Sequence, residues 1–182
     1  METSKHQEEM IKKIEVLSLL VAMTDGISHE ESESLEYIAG RIRLHYQAQP
    51  AVEEYQESQD VEKAISLVDL PLTVSINMFE PKDHFDAINK ELEAMNLNES
   101  ENAGGDFEVL LKMKASEITN DYDRKVAMMA IEDVYSADGD KSSIEKWAHL
   151  VLAKEWGISI VAVNKWANAN LVPILERGNK FE

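Results

Sequence analysis

Residues 126–158 read VAMMAIEDVYSADGDKSSIEKWAHLVLAKEWGI and predict two helices joined by a tight turn. Apolar residues recur at helical spacing on both sides of an Asp-Gly pair, and such a pair is typical of turns. Ser142 followed by Glu145 has the spacing of a capping box, and Gly157 is placed to end the second helix in a left-handed conformation. The stretch therefore predicts an antiparallel helical hairpin.

Residues 14–44 carry the same layout near the other end of the chain. An apolar helical pattern leads into Asp25-Gly26, and Ser28 with Glu31 repeats the capping-box spacing. Short connections of this kind place successive helices side by side in a bundle. Two copies predict a pseudo-symmetric domain rather than a solenoid, which requires more repeats.

The chain as a whole, residues 1–182, is predicted to form one all-α domain. Good helix formers fill most segments, and the low content of Gly and Pro disfavours turn-rich sheet architectures. We expect a single-domain bundle of about seven helices built on two pseudo-symmetric helical hairpins. The repeat units span 10–46 and 121–158, and connecting helices fill 51–117.

Features outside the turns give further local predictions. Pro50 is expected to close the second helical segment, and residues 96–105, rich in Gly and Asn, are expected to form a loop. Trp147 falls on the apolar pattern of its helix and is expected to be buried, whereas His149 is expected on the helix face. Gly178 and the residues after it are expected to fray.

The charge of the chain limits its partners. Lys and Arg number 18 and Asp and Glu number 35, which gives a net charge of -17. A nucleic-acid partner is not expected, because binding to a phosphate backbone needs clustered cations. An acidic surface suits a cation, a basic protein partner or simple solubility.

The chain contains no Cys, which excludes disulfides, thiolate metal sites and cysteine nucleophiles. The longest apolar run, at residues 16–23, is far shorter than the roughly 20 residues that span a bilayer. We therefore expect no direct membrane insertion. A cytoplasmic location agrees with the absence of Cys.

Both Asp-Gly turns place a carboxylate at the C-terminal end of a helix, where it opposes the helix macrodipole. Such a carboxylate needs a donor or a cation, and nearby acids could complete an oxygen cage for calcium, magnesium or manganese. The candidate metal ligands are Asp25, Glu30, Glu31, Asp138, Asp140 and Glu145. The alternative is that Asp-Gly is common turn chemistry without a ligand.

Two segments of the chain resemble the tellurite-resistance TerB-like family. They read LLVAMTDGISHEESESLEYIAGRIRL at 19–44 and AMMAIEDVYSADGDKSSIEKWAHLVLAKEWGIS at 127–159. The resemblance implies a pseudo-two-fold bundle with a non-enzymatic role in tellurite and general stress resistance. It also implies contact with a membrane-associated protein partner and a metal ion held by the acids beside the two turns.

Three hypotheses for function follow. The first is a non-enzymatic, TerB-like stress-response binding or scaffold protein that responds to a metal ion. The second is an acidic phage or bacterial interaction protein, of the immunity type, that blocks a basic partner and groups its acids on one continuous face. The third, a carboxylate enzyme in a helical bundle, ranks last because the chain has no Glu-x-x-His motif, no His-Glu-x-x-His motif and no Gly-x-Ser-x-Gly motif.

Overall fold

The computed structural model describes residues 4–24, 26–72, 86, 90, 103–137, 139 and 142–178. Within this part of the chain there are seven helices and no strand. The first six are α1 Lys5–Met23, α2 His29–Ser58, α3 Val61–Ile65, α4 Ala103–Ser116, α5 Asp121–Tyr135 and α6 Ser143–Trp156. The last, α7, joins Ile160–Trp166, the π-helical turn Ala167–Leu171 and Val172–Gly178. The all-α bundle expected from the sequence is confirmed.

The helices begin where short polar side chains can accept backbone N–H groups. Ser28, Asn120, Ser142 and Ser159 each cap the helix that follows, and each accepts a hydrogen bond from the first turn. Ser4 caps α1 in the same way. The start of each predicted hairpin helix is therefore fixed locally, by the residues that the sequence offers there.

Pro50 does not end the second helix, so that prediction was wrong. Helix α2 is 30 residues long and carries Pro50 in its interior. A proline there removes one helical hydrogen bond and crowds the preceding turn. The neighbouring Ala48, Ala51 and Val52 are fully buried, and this packing holds the segment in the helix despite the local penalty.

Helix α7 accommodates a second internal proline in a different way. The π-helical turn ends at Leu171, two residues before Pro173, and the Val172 N–H donates to the Ala167 carbonyl five residues back. The wider turn gives room where a proline would otherwise clash. The expected fraying at Gly178 is wrong, because Gly178 is buried and its carbonyl accepts the Leu72 N–H at 3.3 Å.

The loop expected at 96–105 is wrong over its last three residues, because α4 already begins at Ala103. The remainder of that loop lies outside the described residues. So do most of the residues between 73 and 102, where the sequence predicted further connecting helices.

Helix α1 lies at the centre of the bundle. It packs against α2 within the first hairpin and against α5 of the second hairpin, and it also touches α4 and α6. Its buried face includes Ile11, Ile14, Leu17, Leu20 and Val21. The two hairpins therefore share one apolar core, as their common design predicts. No described helix is both long and apolar enough to cross a bilayer.

Candidate functional site at the two hairpin turns

The two hairpins reverse direction at glycines of the same conformation. Gly26 and Gly139 both have φ of 76°. An added Cβ would meet no heavy atom within 4 Å at either position. The glycines are therefore required by the left-handed backbone and not by a close approach of other atoms.

The first turn leads into α2 through a side-chain cap. The Ser28 hydroxyl accepts the Glu31 N–H at 3.1 Å, which satisfies one of the free donors at the helix start. The Glu31 side chain is buried, with the residue 2% exposed, whereas Glu30 is exposed. The two candidate ligands of this turn thus point into different surroundings.

The second turn repeats the arrangement with a complete capping box. The Ser142 hydroxyl accepts the Glu145 N–H at 3.2 Å, and the Glu145 carboxylate accepts the Ser142 N–H at 3.3 Å. Glu145 is 1% exposed. A buried carboxylate is costly without donors, so its hydrogen bond to the cap is part of what holds it there.

The remaining candidate ligands, Asp25, Asp138 and Asp140, lie outside the described residues. Among the residues that are described, no three Asp, Glu or His side chains come together in a group that could hold a metal ion. A hard cation takes about six or more oxygen ligands in most protein sites. The buried Glu31 and Glu145 therefore fit a capping role by themselves, and a cation would depend on the aspartates as well.

The second hairpin also contains a buried histidine, His149, so the prediction that it lies on the helix face was wrong. The Tyr135 hydroxyl lies 2.7 Å from Nδ1 of His149, and His149 is fully buried. The rings meet edge to face, with centroids 5.2 Å apart. Burial raises the pKa of Tyr135, and the Glu132 and Glu145 carboxylates raise it further. The spacing along the helix could have indicated this burial, because His149 lies one helical turn after Glu145, which is also buried.

A second polar cluster joins α1, α2 and α5 on their packed faces. Asp123 is buried and accepts a hydrogen bond from the Tyr46 hydroxyl at 2.6 Å, and Nε2 of His6 lies 3.1 Å from its other oxygen. Burial raises the pKa of Tyr46, and the hydrogen bond to Asp123 adds to the shift. The sequence gives no sign of this cluster, because its members are far apart along the chain.

The packed faces of α1 and α2 also contain a carboxyl group with a raised pKa, that of Glu15. Arg43 forms two hydrogen bonds with Glu8, at 3.1 Å and 3.0 Å, and the buried Glu15 lies close to this pair. Burial raises the pKa of Glu15 to about 7, against the opposing attraction of Arg43. A carboxyl group with this pKa changes charge near neutral pH, so it links the packing of α1 to pH.

Comparison with known proteins adds no assignment to this geometry. No family model matches the chain, and no curated protein or solved structure matches it either.

Proposed function

We propose that this chain is a non-enzymatic, TerB-like binding or scaffold protein of a stress response. The observation that supports the proposal is the match between the two turns. Each turn combines a glycine at φ 76°, a serine cap and a buried glutamate three residues after the cap. Two turns of equal design on one core would present two equivalent sets of oxygen atoms, which suits binding more than catalysis.

The proposed role includes a response to a divalent cation such as calcium, magnesium or manganese. Asp25 in the first turn, and Asp138 and Asp140 in the second, would supply the ligands that the described acids lack. Glu31 and Glu145 would contribute only in addition to their capping role. A bound cation would reduce the negative charge at its turn. It would thereby change which protein partner, membrane-associated or cytoplasmic, can bind there.

Calorimetric titration of the demetallated protein tests the cation. We expect heat of binding with calcium, magnesium or manganese, with Kd on the order of 10⁻⁴ M, and a rise in Tm at saturating cation. The Asp25→Asn and Asp138→Asn double variant should lose both signals. Glu36→Gln, an exposed acid on α2 away from the turn, is the matched control and should keep them.

An absence of both heat and Tm shift, with every cation tested, would remove the metal from the proposal. Signals that survive in the double aspartate variant would place the cation elsewhere. In either case the hairpins themselves are checked separately, by the helical signal in circular dichroism.

The alternative is an acidic interaction protein that blocks a basic partner, and a separate group of acids favours it. Glu53 and Glu57 are exposed near the C-terminal end of α2, and Asp60 is exposed just after it, away from the serine cap of the first turn. A lysine-rich peptide should bind this end through charge, with affinity that falls as salt rises. The Glu53→Gln and Glu57→Gln double variant should weaken binding, and Asp25→Asn with Asp138→Asn should not. The reverse pattern would contradict this alternative.

A further inference from the structure

Helices α4 and α6 leave a groove between them on the surface. Its volume is about 380 Å³, and its wall includes Trp147 and Leu150 of α6, with Val151 buried beneath. The sequence pattern predicted that Trp147 is buried, and this was wrong, since both Trp147 and Ile144 of α6 are exposed. The apolar face of α6 is therefore wider than the part that the bundle covers.

Exposed apolar residues are frequent on the two helices that form this groove, and Trp147 and Leu150 line the groove itself. Five large apolar side chains on α4 and α6 are between 38% and 59% exposed. They are Val109, Met113, Ile144, Trp147 and Leu150. Soluble proteins rarely leave a contiguous apolar patch exposed without a partner for it. Trp and Met are also among the residue types enriched where proteins associate.

The charge around the groove selects the partner. Lys112 and Lys154 line it together with Glu108 and Glu155, so positive and negative charges are equal in number there. Lys112 pairs with Glu108 of the same helix at 3.3 Å, which leaves the exposed Lys154 and Glu155 to meet a partner. The chain as a whole carries a charge of -17, which makes two copies repel one another over most of their surface. At this groove the repulsion is absent, and each copy offers both signs to the other. A surface with these properties is self-complementary.

We propose that the groove between α4 and α6 is the interface of a homodimer, in which two copies meet about a two-fold axis. Trp147 and Leu150 of each copy pack against the other copy. Around them, Lys154 of each copy meets Glu155 of the other copy. This inference goes beyond the proposed function and does not depend on a bound cation.

Sedimentation equilibrium of the full chain tests the interface. We expect the wild-type protein to dimerise with Kd on the order of 10 µM. Leu150→Glu should weaken dimerisation by at least about 100-fold, because the change acts once in each copy and adds buried charge. Val161→Glu is the control, since Val161 is 63% exposed on α7 and does not line the groove.

A charge reversal at Lys154 tests the charged residues of the interface. Lys154→Glu leaves the groove with an excess of acid and should weaken the dimer by about 10-fold at low salt, with a smaller effect at high salt. Adding Glu155→Lys restores the balance and should recover most of the loss. Circular dichroism confirms that each variant is folded.

A wild-type protein that stays monomeric to about 1 mM would overturn the proposal, since a physiological interface is tighter than that. It would equally be overturned by a dimer that survives Leu150→Glu, or by one that Val161→Glu breaks to the same extent. Because the cation titration reads a different site, a monomer that still binds metal would sink this inference and leave the proposed function standing.

Discussion

Replacing Trp156 by alanine should lower the free energy of unfolding by about 3–5 kcal/mol. The side chain is 5% exposed, and its Nε1 donates to the Ala115 carbonyl at 2.9 Å. It therefore joins the end of α6 to the end of α4 by both packing and a hydrogen bond. The substitution removes a large apolar volume and leaves the carbonyl without its donor. Urea denaturation followed by circular dichroism measures the change.

Two variants separate the contributions to this effect. Trp156→Phe keeps most of the apolar contact and removes the donor, so it should cost about 1–2 kcal/mol. Val161→Ala, at an exposed position, should stay within about 0.5 kcal/mol of the wild type. If Trp156→Ala costs no more than the exposed control, the proposed anchoring of α6 on α4 is wrong.

Replacing Glu15 by glutamine should stabilise the protein at pH 8 and have little effect at pH 4. Burial raises the folded-state pKa of Glu15 from 4.5 to about 7. Below pH 4.5 the group is protonated in both states, and no penalty exists. As the pH rises from 4.5 to 7, the unfolded chain releases its proton first, so wild-type stability falls. The full loss, up to about 3 kcal/mol, is present above pH 7, and the glutamine variant avoids it.

The measurement is a series of urea denaturations between pH 4 and pH 8. Glu9→Gln, at an exposed position on the same helix, is the matched control and should leave the wild-type pH profile unchanged. A glutamine variant that loses stability over this range as steeply as the wild type would show that Glu15 is not the group responsible.

The helical hairpins could be predicted because their signals are local. Ser28 and Ser142 lie next to the N–H groups that they cap, and Gly157 ends α6 in the left-handed conformation that the sequence indicated. Pro50 and the π-helical turn before Pro173 could not be predicted in this way. Their outcome depends on packing against other helices, which overrides the local preference of a proline.

The candidate site could likewise be predicted only where its contacts are local in the sequence. The pattern of the turns predicted that Ser28 and Ser142 cap the N–H groups of Glu31 and Glu145, and the hydrogen bonds confirm this, because each cap and its donor lie within four residues. Whether a metal ion binds remains a prediction. The partnership of His149 with Tyr135 and the exposure of Trp147 depend on which faces α4 and α5 cover. Helical periodicity gives the direction of a side chain, but it does not give the neighbour that meets it.

The π-helical turn has a consequence for how the C-terminal helix can vary. One extra residue in a turn rotates everything after it by about 100° around the axis. This rotation sets the angular phase at which Ile174 enters the core against α2 and α3. Deleting a single residue from the turn would move Leu175 into the place of Ile174, and the acidic Glu176 into the place of Leu175, which packs against the core. A change of length in this turn therefore preserves the packing of Ile174 only when it adds or removes about one whole helical turn.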